Sequence, residues 1–322
     1  MYYYRYEETV FASLLPDLPL ETADRPAAGT PSLFLIDRDP VSGRSSFCVS
    51  DARQLTARTE DVSWLDPSRM GVPIPALPKR VQHTIDARLL RAVNIRHPRW
   101  RDFARLPDKQ PSGRRRVNLL AVGDVGGTLL TALKLLGGDC IERIGICDLN
   151  QKAVSRWAAE MGQVSWPWDY DALPEVEPVS DEDLFRCDVF LFAATRGVPP
   201  VGGGVRDVRM AQFSANRPLV EQYARQARQA GFRGLFIVLS DPVDPLCKAA
   251  YLASNQGEDG QWDGLGLRAE QIQGFGLGVM NARAAYYAKQ DPRFRSFLTD
   301  GRSYGPHGQG LVIANSLTHY DD

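Results

Sequence analysis

The sequence has few of the residues that build metal sites and disulfide frameworks. Its 322 residues include only five cysteines and four histidines. The cysteines are odd in number and widely spaced, and they form neither a Cys-x-x-Cys pair nor a cluster with histidine. This spacing argues against a structural zinc site and against a set of disulfides. We therefore expect a reduced, cytoplasmic protein with no bound metal.

Long apolar runs and an excess of charge of one sign are also missing. No apolar run approaches the roughly 18 residues of a membrane span, and the first residues lack the basic and apolar regions of a signal peptide. Lys and Arg number 38 against 39 Asp and Glu, so the formal net charge is -1. This balance provides no overall field that would attract a polyanion. We expect neither a membrane nor a nucleic-acid partner.

The chain has the length of two domains and an ordinary apolar content of 43%, which is typical of a packed globular protein. Residues 1–112 form an N-terminal segment of unknown role. Within it, the apolar runs 32–36 and 46–50 flank a turn-forming stretch and predict a β-hairpin. Residues 66–80 contain four prolines and a glycine and predict a loop.

Arginines crowd together between residues 88 and 116, with Trp100 and Phe103 among them. One interpretation is a patch that binds phosphate groups. We favour the alternative, a solvated helix face followed by a charged linker, because the remaining chain offsets the charge. The residues QPSG at 110–113 then mark a domain boundary.

From Val117 onward, short apolar runs alternate with amphipathic stretches. The runs at 117–122, 143–148, 188–194 and 234–240 have the length and β-branched content of strands buried on both faces of a parallel sheet. Helical spacing is found at 128–138, 151–162 and 216–231. This alternation predicts an α/β fold, a Rossmann-type doubly wound parallel sheet, with an additional N-terminal α+β segment.

The first of these strands leads into the glycine-rich turn AVGDVGGT at 121–128. Aligned with the pattern G-x-G-x-x-G, Ala121 replaces the first glycine, while Gly123 and Gly126 occupy the second and third positions. Asp148 ends the second strand, where a carboxylate accepts the hydroxyls of an adenosine ribose and repels a 2′-phosphate. The turn, including Val125, therefore predicts a site for NAD rather than NADP; the alternative is a purely structural turn. The charge of Asp124 must point away from any pyrophosphate.

Five segments taken in order extend this pattern, and together they resemble the lactate/malate dehydrogenase family from Val117 to about Ser316. They are similar to that family's second strand and helix, its fourth strand, its Asn-Pro-Val-Asp strand end, its Asp-Ser-Ala-Arg stretch and its Gly-Glu-His-Gly turn: residues 146–163, 187–195, 239–251, 274–283 and 304–309. The resemblance implies a dinucleotide-binding domain over 113–252, with Ala194 at the cofactor, and a partial substrate region over 253–322. It also allows a homo-oligomer.

The resemblance implies a substrate site as well. His307 would be the acid/base that exchanges a proton with the substrate oxygen. Arg283 would hold a substrate carboxylate through a two-point fork that lysine cannot reproduce. Arg209 would polarise the carbonyl, with Arg206 as its rival in the preceding loop. Gly203, where malate dehydrogenases carry arginine, favours a lactate-type substrate.

Two departures from the family change the charges of this site. Met280 stands where the family has the aspartate that holds the catalytic histidine, and Asp241 stands where it has asparagine. Either Asp241 partly replaces the missing partner of His307, or it faces the pocket unpaired and repels an anionic 2-oxo acid.

These observations predict an NAD-dependent dehydrogenase-like protein that transfers hydride between nicotinamide and a small 2-hydroxy or 2-oxo acid. The alternative is a catalytically impaired dinucleotide-binding homologue that acts as a sensor, scaffold or assembly subunit. In the family a further segment follows the histidine turn and completes the substrate pocket, whereas this chain stops at Asp322. We expect either that the sequence is truncated or that the N-terminal segment compensates.

Overall fold

The computed structural model describes residues 1–26, 32–103, 113–197, 207–308 and 310–315. Contacts between Cα atoms divide the chain into two compact units. The first unit comprises Met1–Ser112 and Asn255–Glu270, and the second comprises Gly113–Ser254 and Gln271–Asp322.

The first unit is built on a mixed sheet with the strand order β3-β1-β2-β4-β6-β5. Its strands are β1 (Tyr2–Tyr6), β2 (Thr9–Ser13), β3 (Glu21–Thr22), β4 (Leu33–Ile36), β5 (Ser46–Cys48) and β6 (Arg91–Asn94), and one helix, α1 (Lys79–Asp86), precedes β6. All four residues of β4 are buried. Phe34 and Ile36 join one apolar cluster, while Leu33 and Leu35 join another. Because successive side chains of a strand point to opposite faces, this sheet is covered on both sides.

The predicted hairpin in this unit is wrong in its pairing. Both runs do form strands, β4 and β5, but β6 lies between them. It pairs parallel with β4 and antiparallel with β5. A fully buried strand such as β4 needs a partner on each edge for its main-chain groups, and β6 supplies one from more than fifty residues downstream. The predicted loop at 66–80 contains only a short 3-10 turn (Pro67–Arg69) before α1 begins.

Most of the crowded arginines contact a carboxylate or an aromatic ring. Arg96 pairs with Asp37 at 2.8 Å and Arg99 with Asp102 at 2.7 Å. In the second unit, Arg116 pairs with Glu177 at 2.6 Å. These pairings do not favour a phosphate-binding patch, but the predicted solvated helix face is wrong, because Arg91–Asn94 is strand β6 and Trp100–Phe103 is a short 3-10 turn.

The second unit contains a parallel sheet with the strand order β12-β11-β10-β7-β8-β9. Its strands are β7 (Arg115–Leu120), β8 (Ile141–Cys147), β9 (Glu175–Pro178), β10 (Val189–Phe192), β11 (Leu235–Val238) and β12 (Ile272–Gly274). Every neighbouring pair is parallel. This is the order of a doubly wound sheet, so the predicted Rossmann-type fold with an additional N-terminal segment is confirmed.

Helices cover this sheet on both faces. They are α2 (Asp124–Leu136), α3 (Gln151–Gly162), α4 (Val208–Gln229) and α5 (Val243–Ser254). After the sheet the chain continues with α6 (Leu277–Ala288), α7 (Phe297–Asp300) and a hairpin of β13 (Arg302–Tyr304) and β14 (Val312–Ala314). Leu191 of β10 packs with residues of α2 and α3, whereas the rings of its neighbours Phe190 and Phe192 make tilted contacts with Tyr223 of α4. Among the described helices, none has both the length and the apolar character needed to cross a bilayer.

The strand order fixes where a ligand can bind. The chain runs from β7 outward to β8 and β9, then returns to the other side of β7 and continues from β10 to β12. In such sheets ligands bind in the crevice at the carboxyl ends of the strands, where the order reverses. Here that point lies between β7 and β10, beside the turn at residues 121–128.

Candidate dinucleotide and substrate site

The turn after β7 has the geometry of a dinucleotide-binding turn. A Cβ atom added to Gly126 would lie 1.9 Å from the carbonyl oxygen of Ala121, so only glycine fits there. A Cβ atom added to Gly123 would meet nothing within 4 Å. Gly126 is therefore required for packing, while the space at Gly123 is open to a ligand.

Helix α2 begins at this turn with exposed main-chain donors. Gly123 is its N-cap and, within the described residues, no side chain caps it. The uncapped N–H groups and the helix dipole favour an anion at this point. Val125, in the same turn, is 59% exposed. Asp124 and Gly123 line one cavity of about 460 Å³, together with Arg156 and Trp157 of α3.

Ala121 adopts a conformation that favours glycine. Its φ is +74°, in the left-handed region where a Cβ atom costs about 1–2 kcal/mol. We expect Ala121→Gly to raise the free energy of unfolding by about 0.5–1 kcal/mol, the remainder being lost to the greater freedom of glycine in the unfolded chain.

Urea denaturation measures this change. Ala193→Gly, at a half-buried position near Gly126 with no such φ, serves as the matched control and should lower stability. An equal loss of unfolding free energy in both variants would show that the left-handed conformation of Ala121 carries no strain.

Asp148 follows β8 at the edge of a cavity of about 650 Å³. One carboxylate oxygen accepts the N–H of Val122 at 2.9 Å and the other accepts the N–H of Asn150 at 2.8 Å. Each oxygen keeps a lone pair for a ligand hydroxyl. Two further residues of this cavity were missed by sequence reasoning. Asp181 accepts a hydrogen bond from Tyr223 at 2.9 Å. The pKa of Tyr223 is raised mainly by burial and also by this hydrogen bond.

Asn216 of α4 connects the ends of β10 and β11. It is 1% exposed, its Oδ1 accepts the N–H of Arg196 at 2.8 Å, and its Nδ2 donates to the main-chain oxygen of Asp241 at 2.8 Å. Ala194, at the end of β10, is buried, and its carbonyl accepts the hydroxyl of Ser240. Sequence reasoning missed this role of Asn216, whose only signal was its place at the start of a predicted helix.

His307 is held through its main chain and its ring. Its N–H donates to Oδ2 of Asp244 at 2.8 Å, and its carbonyl oxygen accepts Nη1 of Arg209. Its Nδ1 lies 2.8 Å from the carbonyl oxygen of Gly276. Since a carbonyl only accepts hydrogen bonds, Nδ1 carries the proton, and Nε2 is the nitrogen left for chemistry.

The carbonyl of Gly276 therefore makes the contact with Nδ1 that the resemblance would assign to the position of Met280. Gly276 is the N-cap of α6, one helical turn before Met280. Asp241 lies at the other end of the ring, with Oδ1 3.7 Å from Nε2 of His307. The structure brings Asp241 and His307 together, as the sequence suggested, but at the nitrogen that faces away from Gly276.

The predicted arginines differ in their surroundings. Arg209 is exposed at the start of α4, and besides its bond to His307 its guanidinium lies against Gly308. Arg283 of α6 is exposed, and within the described residues it makes no ion pair or hydrogen bond. Arg206 and Gly203 lie outside the described residues.

Comparisons with known proteins place these features in context. No family model matches the chain. It is 24% identical over 205 residues to an L-lactate dehydrogenase of Treponema denticola, covering 64% of this chain and 58% of the relative. It is 26% identical over 146 residues to L-lactate dehydrogenase 1 of Lactobacillus acidophilus, covering 45% and 42%. The chain thus spans about half the length of the curated relatives it matches.

Solved structures resemble the chain over a similar share. The minor L-lactate dehydrogenase of Enterococcus mundtii is 21% identical, with a TM-score of 0.47 over 62% of this chain and 57% of that one. The malate dehydrogenase of Picrophilus torridus is 20% identical, with a TM-score of 0.47 over 62% and 58%. By its sequence matches, the chain is similar to L-lactate dehydrogenases over part of its length.

Proposed function

We propose that the chain transfers hydride between a nicotinamide dinucleotide and a small 2-hydroxy or 2-oxo acid. The observation that carries this proposal is the placement of two kinds of group at the crevice side of one sheet. The uncapped α2 N-terminus and Asp148 follow β7 and β8. The strand end at Asp241 follows β11 and lies beside Nε2 of His307. A dinucleotide donor and an acid/base group are the minimum that this reaction needs.

The residues around the turn fit a dinucleotide. Main-chain groups of Gly123, Val125 and Gly126 would hold the pyrophosphate, Asp148 the adenosine ribose, and the strand end at Ala194 the remainder of the cofactor. When bound, NAD supplies the hydride chemistry. Asp148 and Asp181 line the same cavity, and their negative charges oppose a 2′-phosphate.

The substrate side uses the three groups named by the resemblance. His307 presents Nε2, with its tautomer set by Gly276. The exposed guanidinium of Arg283, which has no ion pair among the described residues, is suited to a substrate carboxylate, and Arg209 lies beside the His307 turn. A lactate-type preference and a homo-oligomeric assembly stay predictions.

The second candidate function is a dinucleotide-binding sensor, scaffold or assembly subunit without turnover. It is favoured by Asp241, whose carboxylate lies 3.7 Å from the catalytic nitrogen and would repel an anionic 2-oxo acid. Oxidation of NADH in the presence of a panel of 2-oxo acids separates the two functions.

Cofactor preference tests the proposed site directly. We expect NADH to quench tryptophan fluorescence with at least about tenfold higher affinity than NADPH, because a 2′-phosphate beside Asp148 is repelled and a tenfold difference needs only about 1.4 kcal/mol. Asp148→Asn should reduce the ratio of NADH affinity to NADPH affinity. Asp139→Asn, an exposed carboxylate before the opposite end of β8, should leave it unchanged. Equal affinities in the unmodified chain would show that Asp148 does not contact the ribose.

A further inference from the structure

The main chain of Asp241 is held in place, whereas its carboxylate has few polar neighbours. Its main-chain oxygen is held by Asn216 at 2.8 Å. Its side chain is 51% exposed and, among the described residues, its one ion-pair neighbour is Nε2 of His307, at 3.7 Å. This distance is too long for a hydrogen bond. The carboxylate is therefore free to bind a substrate group that lies next to Nε2.

A substrate whose reacting carbon carries oxygen fits this arrangement badly. Reduction of a ketone places growing negative charge on oxygen, which needs hydrogen-bond donors and positive charge around it. Here a carboxylate lies within a few ångströms of the donor nitrogen and competes for the proton on Nε2. It would also repel the developing oxyanion.

The other charges near His307 do not cancel that of Asp241. Asp244 accepts the His307 N–H, and Arg209 donates to the His307 carbonyl oxygen. These two opposite charges both contact the main chain of one residue and offset each other. Among the described residues, Asp241 thus has no cationic neighbour other than His307 itself, which is charged only when Nε2 carries a proton.

We propose that the carbon which exchanges hydride carries nitrogen, so that the chain interconverts a 2-oxo acid and a 2-amino acid, with Asp241 holding the positively charged nitrogen. This inference rests on the hydride-transfer part of the proposed function and replaces the 2-hydroxy acid with a 2-amino acid as the reduced substrate. A carboxylate that disfavours an oxyanion stabilises an iminium or ammonium group at the same place.

The reaction balances with ammonium as co-substrate. The 2-oxo acid condenses with ammonium, breaking the carbon–oxygen double bond, forming a carbon–nitrogen double bond and releasing water. Hydride from the dinucleotide then forms the new carbon–hydrogen bond, and the electrons of the double bond become the nitrogen lone pair. That lone pair takes a proton from Nε2 of His307, which solvent restores. The sum is 2-oxo acid, ammonium, NADH and a proton giving 2-amino acid, NAD and water.

Binding measurements test this assignment without requiring turnover. With the full chain saturated with NAD, both enantiomers of a 2-amino acid and of the 2-hydroxy acid with the same side chain are titrated by calorimetry. We expect the amino acid to bind at least about tenfold more tightly, the discrimination expected for one charged hydrogen bond. Asp241→Asn should remove or reverse this preference, and Asp139→Asn should preserve it. Circular dichroism and NADH affinity report whether each variant is folded.

Turnover provides a second readout. Oxidation of NADH with a 2-oxo acid should rise when ammonium is added to the unmodified chain, and Asp241→Asn should lose that dependence. If NADH binds but the hydroxy acid binds as tightly as the amino acid, the nitrogen assignment is wrong and the proposed dehydrogenase function stands. If neither dinucleotide nor either acid binds, both are wrong.

Discussion

Replacing Gly126 with alanine is expected to destabilise the second unit by about 3 kcal/mol and to abolish dinucleotide binding. The new Cβ atom would lie 1.9 Å from the carbonyl oxygen of Ala121 and 3.0 Å from its carbonyl carbon. Both are main-chain atoms, which cannot rotate away as a flexible side chain can. The N–H of Ala121 is also bonded to the carbonyl of Cys147 at 2.7 Å, so relief requires that α2 move away from β7.

Gly123→Ala is the matched control for Gly126→Ala. A Cβ atom on Gly123 would have nothing within 4 Å. The φ of Gly123, -70°, is accessible to any residue. We expect this variant to keep the stability of the unmodified chain in urea while its affinity for NADH falls, because the methyl group projects into the space proposed for the pyrophosphate. Equal stability of the two variants would contradict the packing role of Gly126, and unchanged NADH affinity in Gly123→Ala would contradict the site.

Gly276→Ala is expected to slow hydride transfer by about a hundredfold, the scale of a displacement of about 1 Å at a catalytic group. A Cβ atom on Gly276 would lie 2.8 Å from Cβ and Cγ of His307 and 3.0 Å from its Nδ1. The ring must therefore shift away from the Gly276 carbonyl that sets its tautomer. NADH affinity should change little, since Gly276 does not line the cavity at Asp148.

Gly278→Ala, two residues further along, separates this effect from a change in α6 itself. Its Cβ atom would meet nothing within 4 Å, and alanine in a helix is favoured over glycine by up to about 1 kcal/mol. We expect a small gain in thermal stability and an unchanged rate. A comparable loss of rate in both variants would mean that the helix start, rather than contact with His307, limits the reaction.

The amino-acid sequence alone predicted the interior of the parallel sheet. The strands β7, β8, β10 and β11 have neighbours on both edges and helices on both faces, so their sequences are continuous apolar runs. The two strands of this sheet that sequence reasoning missed, β9 and β12, are its outermost strands. An edge strand has one neighbour and can be short and polar; β9 reads Glu-Val-Glu-Pro and β12 has three residues.

The glycine-rich turn could be predicted from the sequence because sterics restrict which residues fit it. Gly126 permits a close main-chain approach, and the pattern also identified Ala121 as the position where glycine was replaced. Strand pairing in the first unit was not readable, because the partner of β4 comes from a distant segment. A local turn signal between two apolar runs carries no information about a third strand that inserts between them.

The sequence alone also predicted that Asp241 and His307 lie close together, since the segments that carry them follow the family's order, and the structure places them 3.7 Å apart. Only the tertiary structure decided which ring nitrogen each neighbour meets. Gly276 contributes a carbonyl that every residue possesses, so no side-chain pattern marks it as the group that replaces the missing aspartate. Its contact with Nδ1 depends on how α6 packs against the His307 turn, and that packing leaves Nε2 to face the carboxylate of Asp241.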